Sequence, residues 1–254
     1  MSSLLKFFVK PLFKRLGYHA LNSRDYYPSD GFFTPHQPRF LESERFQAAY
    51  RRGIEASQGF DPGFEWRVHI ALWAASRALE AQGDFVECGV NAGFISSAIL
   101  QYLDWESTGR TFYLVDTFAG PPLTQYSDVE IQQGRDQVAR EAAASGAYVT
   151  DIERVRSNFR QWPHAKVIQG EVPAILPQLP LKDVAFVHLD MNSAAPECAA
   201  LEFFWPFLSA HGLILLDDYA FFRSNPQGDA LDDVARRLGL EILSLPTGQG
   251  LILK

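Results

Sequence analysis

The 254-residue sequence predicts an α/β protein: a mostly parallel sheet with helices on both faces, closed by an antiparallel hairpin. Three observations predict it. Short apolar runs recur along the chain, helical patterns separate most of them, and the last two runs flank a four-residue turn. Strands buried on both faces read as continuous apolar runs, and their alternation with helices marks a parallel sheet.

Taken in order, 66–82 reads as a helix, with Val68, Leu72, Ala75 and Leu79 on one face and Gly83 as its stop. Five buried strands follow at 85–90, 111–116, 165–169, 184–190 and 213–216. Helical patterns lie between them at 92–103, 138–144 and 196–208. Near the end, 240–245 and 250–254 flank Pro246-Thr247-Gly248-Gln249 and read as a hairpin. Ahead of this body, 25–63 is rich in Tyr, Phe, Pro, Gly and Ser, with an amphipathic stretch at 40–54 suited to a helical cap. The chain thus divides into an N-terminal segment and cap, 1–63, and a main domain, 64–254.

Composition narrows the class. At 47% hydrophobic and 21% charged the chain is that of an ordinary globular protein. No apolar run is long enough to span a bilayer. Cys88 and Cys198 are too few for a disulfide framework, and no signal peptide precedes them, which points to a reducing, cytoplasmic setting. The net charge of −7 is unevenly spread. Of 23 basic and 30 acidic side chains, five basic and no acidic ones fall in residues 1–24, so the other 230 residues carry 18 and 30. The body's charge argues against nucleic acid as a partner. The basic segment, with Phe7, Phe8, Leu12 and Phe13 among its charges, suits a helix docked on the body or on a second subunit of a homo-oligomer. It also suits peripheral contact with an anionic membrane.

Open α/β sheets bind ligands at the carboxyl ends of their strands, and the residues there carry chemistry. The first strand runs into Glu87-Cys88-Gly89-Val90-Asn91-Ala92-Gly93. Glycine permits close backbone approach, and an acid before it suits an ammonium group better than a pyrophosphate. A plain tight turn would look the same. Asp116, ending the second strand, can accept hydrogen bonds from both hydroxyls of a ribose, or can cap a turn. Together the two favour an adenosine-containing cofactor. Asp190 ends the fourth strand, and Asp217-Asp218 end the fifth. Three carboxylates at one sheet edge repel one another unless a cation is present, and hard oxygen ligands suit Mg²⁺. His188 shares a strand face with Asp190 but reads as a hydrogen-bonded core residue. Neither cysteine has the basic setting of a reactive thiol.

Four strings in register, Gly83-Asp84-Phe85-Val86-Glu87-Cys88-Gly89-Val90, Val115-Asp116-Thr117-Phe118-Ala119-Gly120-Pro121, His188-Leu189-Asp190 and Leu216-Asp217-Asp218-Tyr219, carry a family resemblance. From Trp66 to Lys254 the chain resembles the macrocin O-methyltransferase-like branch of class I S-adenosylmethionine-dependent methyltransferases. The resemblance implies a Rossmann-like seven-stranded sheet and transfer of a methyl group to a hydroxyl of a sugar or sugar-containing small molecule or glycan. It also implies that Glu87 and Gly89 contact the methionine end of the cofactor, Asp116 its ribose, and Gly170 and Glu171 the adenine region. Asp190, Asp217 and Asp218 match the family's Mg²⁺ ligands, with Asp190 also the general base. The sequence departs from the family where a D-x-D-L-Y-x-x-T run is expected: Asn192, Ala194 and Glu197 replace its second Asp, its Tyr and its Thr. Residues 122–158, with Tyr126, Asp128 and Glu130, would form the acceptor-facing lid. Two other readings compete: a catalytically silent cofactor-binding interaction protein, and a metal-dependent glycosyltransferase using Asp190-Met191-Asn192.

Overall fold

The computed structural model describes residues 15, 27–29, 32–220 and 226–254. The basic segment 1–24 lies outside them except for Arg15. In chain order the elements are β1 (Tyr27–Ser29), β2 (Phe32–Thr34), α1 (Glu44–Ala56), α2 (Glu65–Ala78), β3 (Asp84–Cys88), α3 (Phe94–Leu103) and β4 (Phe112–Asp116). There follow α4 (Asp128–Gln132), α5 (Arg135–Ser145), α6 (Ile152–Asn158), β5 (Ala165–Gln169), β6 (Val184–Leu189), α7 (Ala194–Phe207), β7 (Leu208–Leu216), α8 (Pro226–Leu238), β8 (Leu243–Ser244) and β9 (Gly250–Leu253).

Seven strands form one sheet in the order β5-β4-β3-β6-β7-β9-β8. The first five positions pair in parallel, and β9 pairs antiparallel with both β7 and β8. The predicted sheet and terminal hairpin are both present, and the strand order reverses between β3 and β6. β1 and β2 form a separate two-stranded sheet that the sequence reading missed, as it missed α8. The expected helix 66–82 is shorter, ending at Ala78, while the fifth strand begins at Leu208 rather than 213. Among the described residues no helix is long and apolar enough to cross a membrane.

Period-two alternation divides the sheet's side chains between two cores. Phe85, Phe112, Leu114, Phe186, Leu213 and Leu215 face one way, packed with Phe46, Ala49 and Tyr50 of α1, the alanine stripe of α2 and the apolar body of α3. Val86, Cys88, Val115, Val187, Leu189, Ile214 and Leu216 face the other, against α7 and α8. This parity positions the site: Glu87, His188 and Asp217 project on the same face as Phe85, Phe186 and Leu215. They therefore lie under α2, where Arg67 shares the buried stripe with Ala71, Ala74 and Ala78.

Candidate active site

The ladder continues one rung beyond the strand ends. Asp190 N–H donates to Cys88 O (2.9 Å), and Asp217 N–H donates to Leu189 O (2.8 Å). These bonds draw the loops after β3, β6 and β7 into one rim at the reversal of strand order. Gly89 makes the approach feasible. Its φ is +92°, and a Cβ there would lie 1.7 Å from Asp190 O, so the close approach it permits is to its own neighbouring loop.

The turn 89–93 is held from three directions. Val90 and Asn91 N–H donate to Asp116 Oδ2 at 2.7 and 2.8 Å, and Phe118 N–H donates to Asp116 Oδ1 at 2.7 Å. Asn158 Nδ2 donates to Ala92 O and to Ala56 O, both at 3.0 Å. Asn91 Nδ2 donates to Ala147 O (3.0 Å), while its Oδ1 accepts from Val149 N–H (2.8 Å). Asp116 therefore has the turn-organising role that its position allowed, and it also lines the adjoining cleft.

That cleft encloses about 690 Å³ when the open solvent at its mouth is included. Gly89, Asp116, Gly170, Glu171 and Asp190, five of the expected site residues, line it together. Asn91, Tyr148 and Asn192 join them. Gly170 N–H donates to Asp116 O (2.9 Å). Glu171 Oε1 accepts from Gln125 Nε2 (2.7 Å), which ties the start of the 122–158 segment to the loop after β5. Glu87, Asp217 and Asp218 do not line the cleft and lie buried beside it.

Glu87 departs from the expectation of a wall position. Its Oε1 is 2.8 Å from His188 Nδ1, and its Oε2 is buried with no hydrogen-bond partner. An unsatisfied buried carboxylate oxygen is costly, and an ammonium group reaching it from the cleft side would satisfy it. That orphan oxygen and the Asp116–glycine rim fit the amino-acid end and ribose of S-adenosylmethionine.

Beneath the rim lies a buried polar network that the sequence reading did not find. His188 bridges Glu87 and Asp217, with Nε2 3.4 Å from Asp217 Oδ1. Gln249 Nε2 donates to the same oxygen (2.9 Å), and Arg67 pairs with Asp217 Oδ2. Arg67 also donates to Asp217 O (2.8 Å) and Thr247 O (3.1 Å). Burial alone would lower the His188 pKa, but hydrogen bonds and charge from Asp217 and Glu87 outweigh it and hold the imidazole protonated, near about 10. Burial would raise Asp217, and Arg67 with His188 overrides it, keeping this carboxylate well below its usual range.

The network also engages Asp217, one of the three carboxylates expected to hold Mg²⁺. Both oxygens of Asp217 meet protein donors, and among the described residues no group of three or more His, Cys, Asp or Glu side chains is placed to hold a metal ion. Asp190 and Asp218 differ from Asp217. Burial, then the charges of Asp217 and Asp218, push Asp190 well above the ordinary carboxylate range. Burial, then Asp217, push Asp218 to about 6, against the opposing pull of Arg67 and Arg135. Crowded carboxylates of this kind, one at the cleft wall and one buried, fit a cation. Asp190 and Asp218 have the crowding that suits a cation, and Asp217 pairs with Arg67.

The departures from the family run have structural partners. Asn192, at φ +59°, places its Nδ2 3.3 Å from Asp190 Oδ1. Glu197 is buried and accepts from Met191 N–H (2.9 Å). Ala194 N–H, in the first turn of α7, donates to Glu130 Oε1 (2.9 Å). Glu130 is thus a buried anchor of the 122–158 segment rather than an acceptor-facing group. Asp128 is exposed, while Tyr126 is buried. Burial raises the pKa of both cysteine thiols, in keeping with unreactive side chains.

Comparison with known proteins agrees with this architecture. An 8-demethyl-8-(2,3-dimethoxy-alpha-L-rhamnosyl)-tetracenomycin-C 4'-O-methyltransferase from Streptomyces olivaceus is 28% identical over 166 residues, 62% of this chain. The chain spans 60% of the length of that curated relative. The O-methyltransferase NovP superposes with a TM-score of 0.63 at 22% identity, over 81% of this chain and 88% of its own. CalS11, a calicheamicin methyltransferase, gives 0.55 at 17% identity, over 92% and 97%. The two structures share the Rossmann-like fold. A family model described as a methyltransferase domain matches residues 86–219, a span that holds the glycine turn, Asp116, Asp190 and the Asp217–Asp218 pair. By that match the chain belongs to the methyltransferase-domain family, as the four strings had implied.

Proposed function

We propose that this protein is an S-adenosylmethionine-dependent O-methyltransferase acting on a hydroxyl of a sugar or sugar-containing metabolite, with Mg²⁺ held by Asp190 and Asp218. The observation that carries this reading is the single cleft that Gly89, Asp116, Gly170, Glu171 and Asp190 line together. The Streptomyces relative, an O-methyltransferase named for a rhamnosyl substrate, supports the acceptor class.

When bound, S-adenosylmethionine supplies an electrophilic sulfonium methyl, and Mg²⁺ supplies charge that makes an acceptor hydroxyl more acidic. The chain's own residues do the rest. Asp190, a half-buried carboxylate lining the cleft, is placed to take the hydroxyl proton on a carboxylate oxygen. Glu87, held by His188, meets the cofactor's ammonium through Oε2. Asp116 holds the glycine turn and offers its remaining acceptor capacity to the ribose. The 122–158 segment, fixed at Glu130 and Gln125, covers the cleft and excludes water. Much of the rate then comes from holding acceptor and methyl donor in register.

Titration calorimetry with S-adenosylmethionine tests the cofactor, and methyl transfer to nucleotide sugars and glycosides, with and without chelator, tests the reaction. Binding without metal and turnover that requires both Mg²⁺ and Asp190 are expected. Absence of cofactor binding would refute the reading. Binding with no transfer to any hydroxyl acceptor would assign the protein to cofactor binding alone.

A further inference from the structure

Asn91 stands in the glycine turn with φ +49°, a left-handed conformation that asparagine adopts more readily than most residues. Its backbone N–H is committed to Asp116, so the side chain is turned towards the segment that follows α5. There the amide uses both its functions, donating from Nδ2 to Ala147 O and accepting at Oδ1 from Val149 N–H. The two bonds grip the backbone on either side of Tyr148. Aspartate lacks the donor, and glutamine is one methylene longer than this span. The Tyr148 ring rests on Gly120, where a Cβ would lie 3.4 Å from the ring edge. Tyr148 and Val149 line the same cleft as Gly89, Asp116 and Asp190. Tyr148 also lies close enough to Asp190, Asp218 and Asp116 to feel their charge.

We propose that Asn91 is a positioning residue, an amide clasp that fixes Tyr148 in the wall of the cleft it shares with Gly89, Asp116 and Asp190. The clasp couples the glycine turn directly to residues 147–149, so the two segments of the cleft wall are set by one side chain. The proposal rests on the methyl-transfer reading for its consequence, though not for its geometry.

Asn91→Gly tests it, because glycine keeps the left-handed backbone while deleting both bonds. Asn91→Asp is the second variant, keeping the acceptor and losing the donor. Two readouts are needed. The first is hydrogen exchange at the Val149 amide, expected to speed by about tenfold in Asn91→Gly and to remain closer to wild type in Asn91→Asp. The second is affinity for S-adenosylhomocysteine, expected to weaken by about tenfold in Asn91→Gly, the loss of two hydrogen bonds of ordinary net strength. Tyr148→Ala in the Asn91→Gly background should then add little further loss. Unchanged Val149 exchange would overturn the clasp. Faster exchange with wild-type affinity, or fully additive losses, would overturn its positioning role. If the wild type binds no S-adenosylhomocysteine, the methyl-transfer reading fails, while the exchange measurement still decides the clasp.

Discussion

Replacing Arg67 by methionine tests whether Asp217 is an internal ion-pair partner. Arg67 is 4% exposed, and its guanidinium is the fixed cation of a site that also holds Glu87, Asp217 and a protonated His188. With Arg67 in place, two carboxylates face two cations. Without it, His188 alone serves both. Removing one member of a buried pair typically costs about 3–5 kcal/mol, and methionine keeps most of the apolar stem, so the loss reports the charge and its three acceptor oxygens. At about 2–4 °C per kcal/mol for a chain of this size, a fall in Tm of about 10 °C is expected at pH 7. The pH dependence separates charge from packing. Asp217 has a depressed folded pKa, so its stabilising contribution is present above the unfolded value of ~3.9 and is lost as pH falls through the folded one. The difference between wild type and Arg67→Met should therefore be largest near neutrality and narrow below about pH 4. Urea unfolding at pH 7 and in the acid range measures both. A loss under about 1 kcal/mol at pH 7, or one that stays constant into acid, would refute the ion-pair account.

Three further outcomes are expected. Glu197 is raised to about 8, first by burial and then by Asp218, so its ionisation opposes folding as pH rises from the ordinary glutamate range to about 8. Glu197→Gln, which can still accept from Met191 N–H, should gain on the order of 2 kcal/mol over wild type above that pH and little below pH 5. Parallel stability curves would contradict this. Protonation of Asp218, held near about 6, should weaken Mn²⁺ binding as pH falls below that value. In Asp218→Asn binding should be weak throughout and lack the inflection, while cofactor affinity stays near wild type. For residues 1–24, docking on protein predicts that the full chain stays in the supernatant with anionic vesicles. Salt-sensitive pelleting that is lost on deleting the segment would assign a membrane contact instead.

What could be read in the sequence follows from how each feature is encoded. β3, β4, β6 and the end of β7 are buried on both faces, so local apolar runs marked them, and their carboxyl ends located Gly89, Asp116 and Asp190 on one cleft. β1 and β2, at three residues each, leave no such run. α4–α6 bury few residues, among them Glu130, Ala139 and Val155, so their periodicity is faint. α8 carries a sequence signal of its own, with Leu231, Val234, Ala235 and Leu238 at helical spacing.

The site's polar contacts are a different matter, because they join segments far apart in the chain. Asn91 meets Ala147 and Val149 across more than fifty residues, and Arg67 meets Asp217 across 150. A charge count at the sheet edge saw three carboxylates and called for an external cation. The fold had already supplied one: an arginine on the apolar stripe of α2, at the helical spacing of Ala71, Ala74 and Ala78. A buried arginine on a core-facing stripe needs a buried anion, and the sheet parity that puts Asp217 under that stripe could have been derived from the same strand pattern. The sequence therefore contained the evidence to separate Asp217 from Asp190 and Asp218, but only if helix and strand periodicities were read together. The same reasoning distinguishes the two aspartates of the Asp217–Asp218 pair: adjacent residues on a strand's exit point to opposite sides, so Asp217 turns to α2 and its arginine while Asp218 turns to the other side, where its charge reaches Asp190 and Glu197.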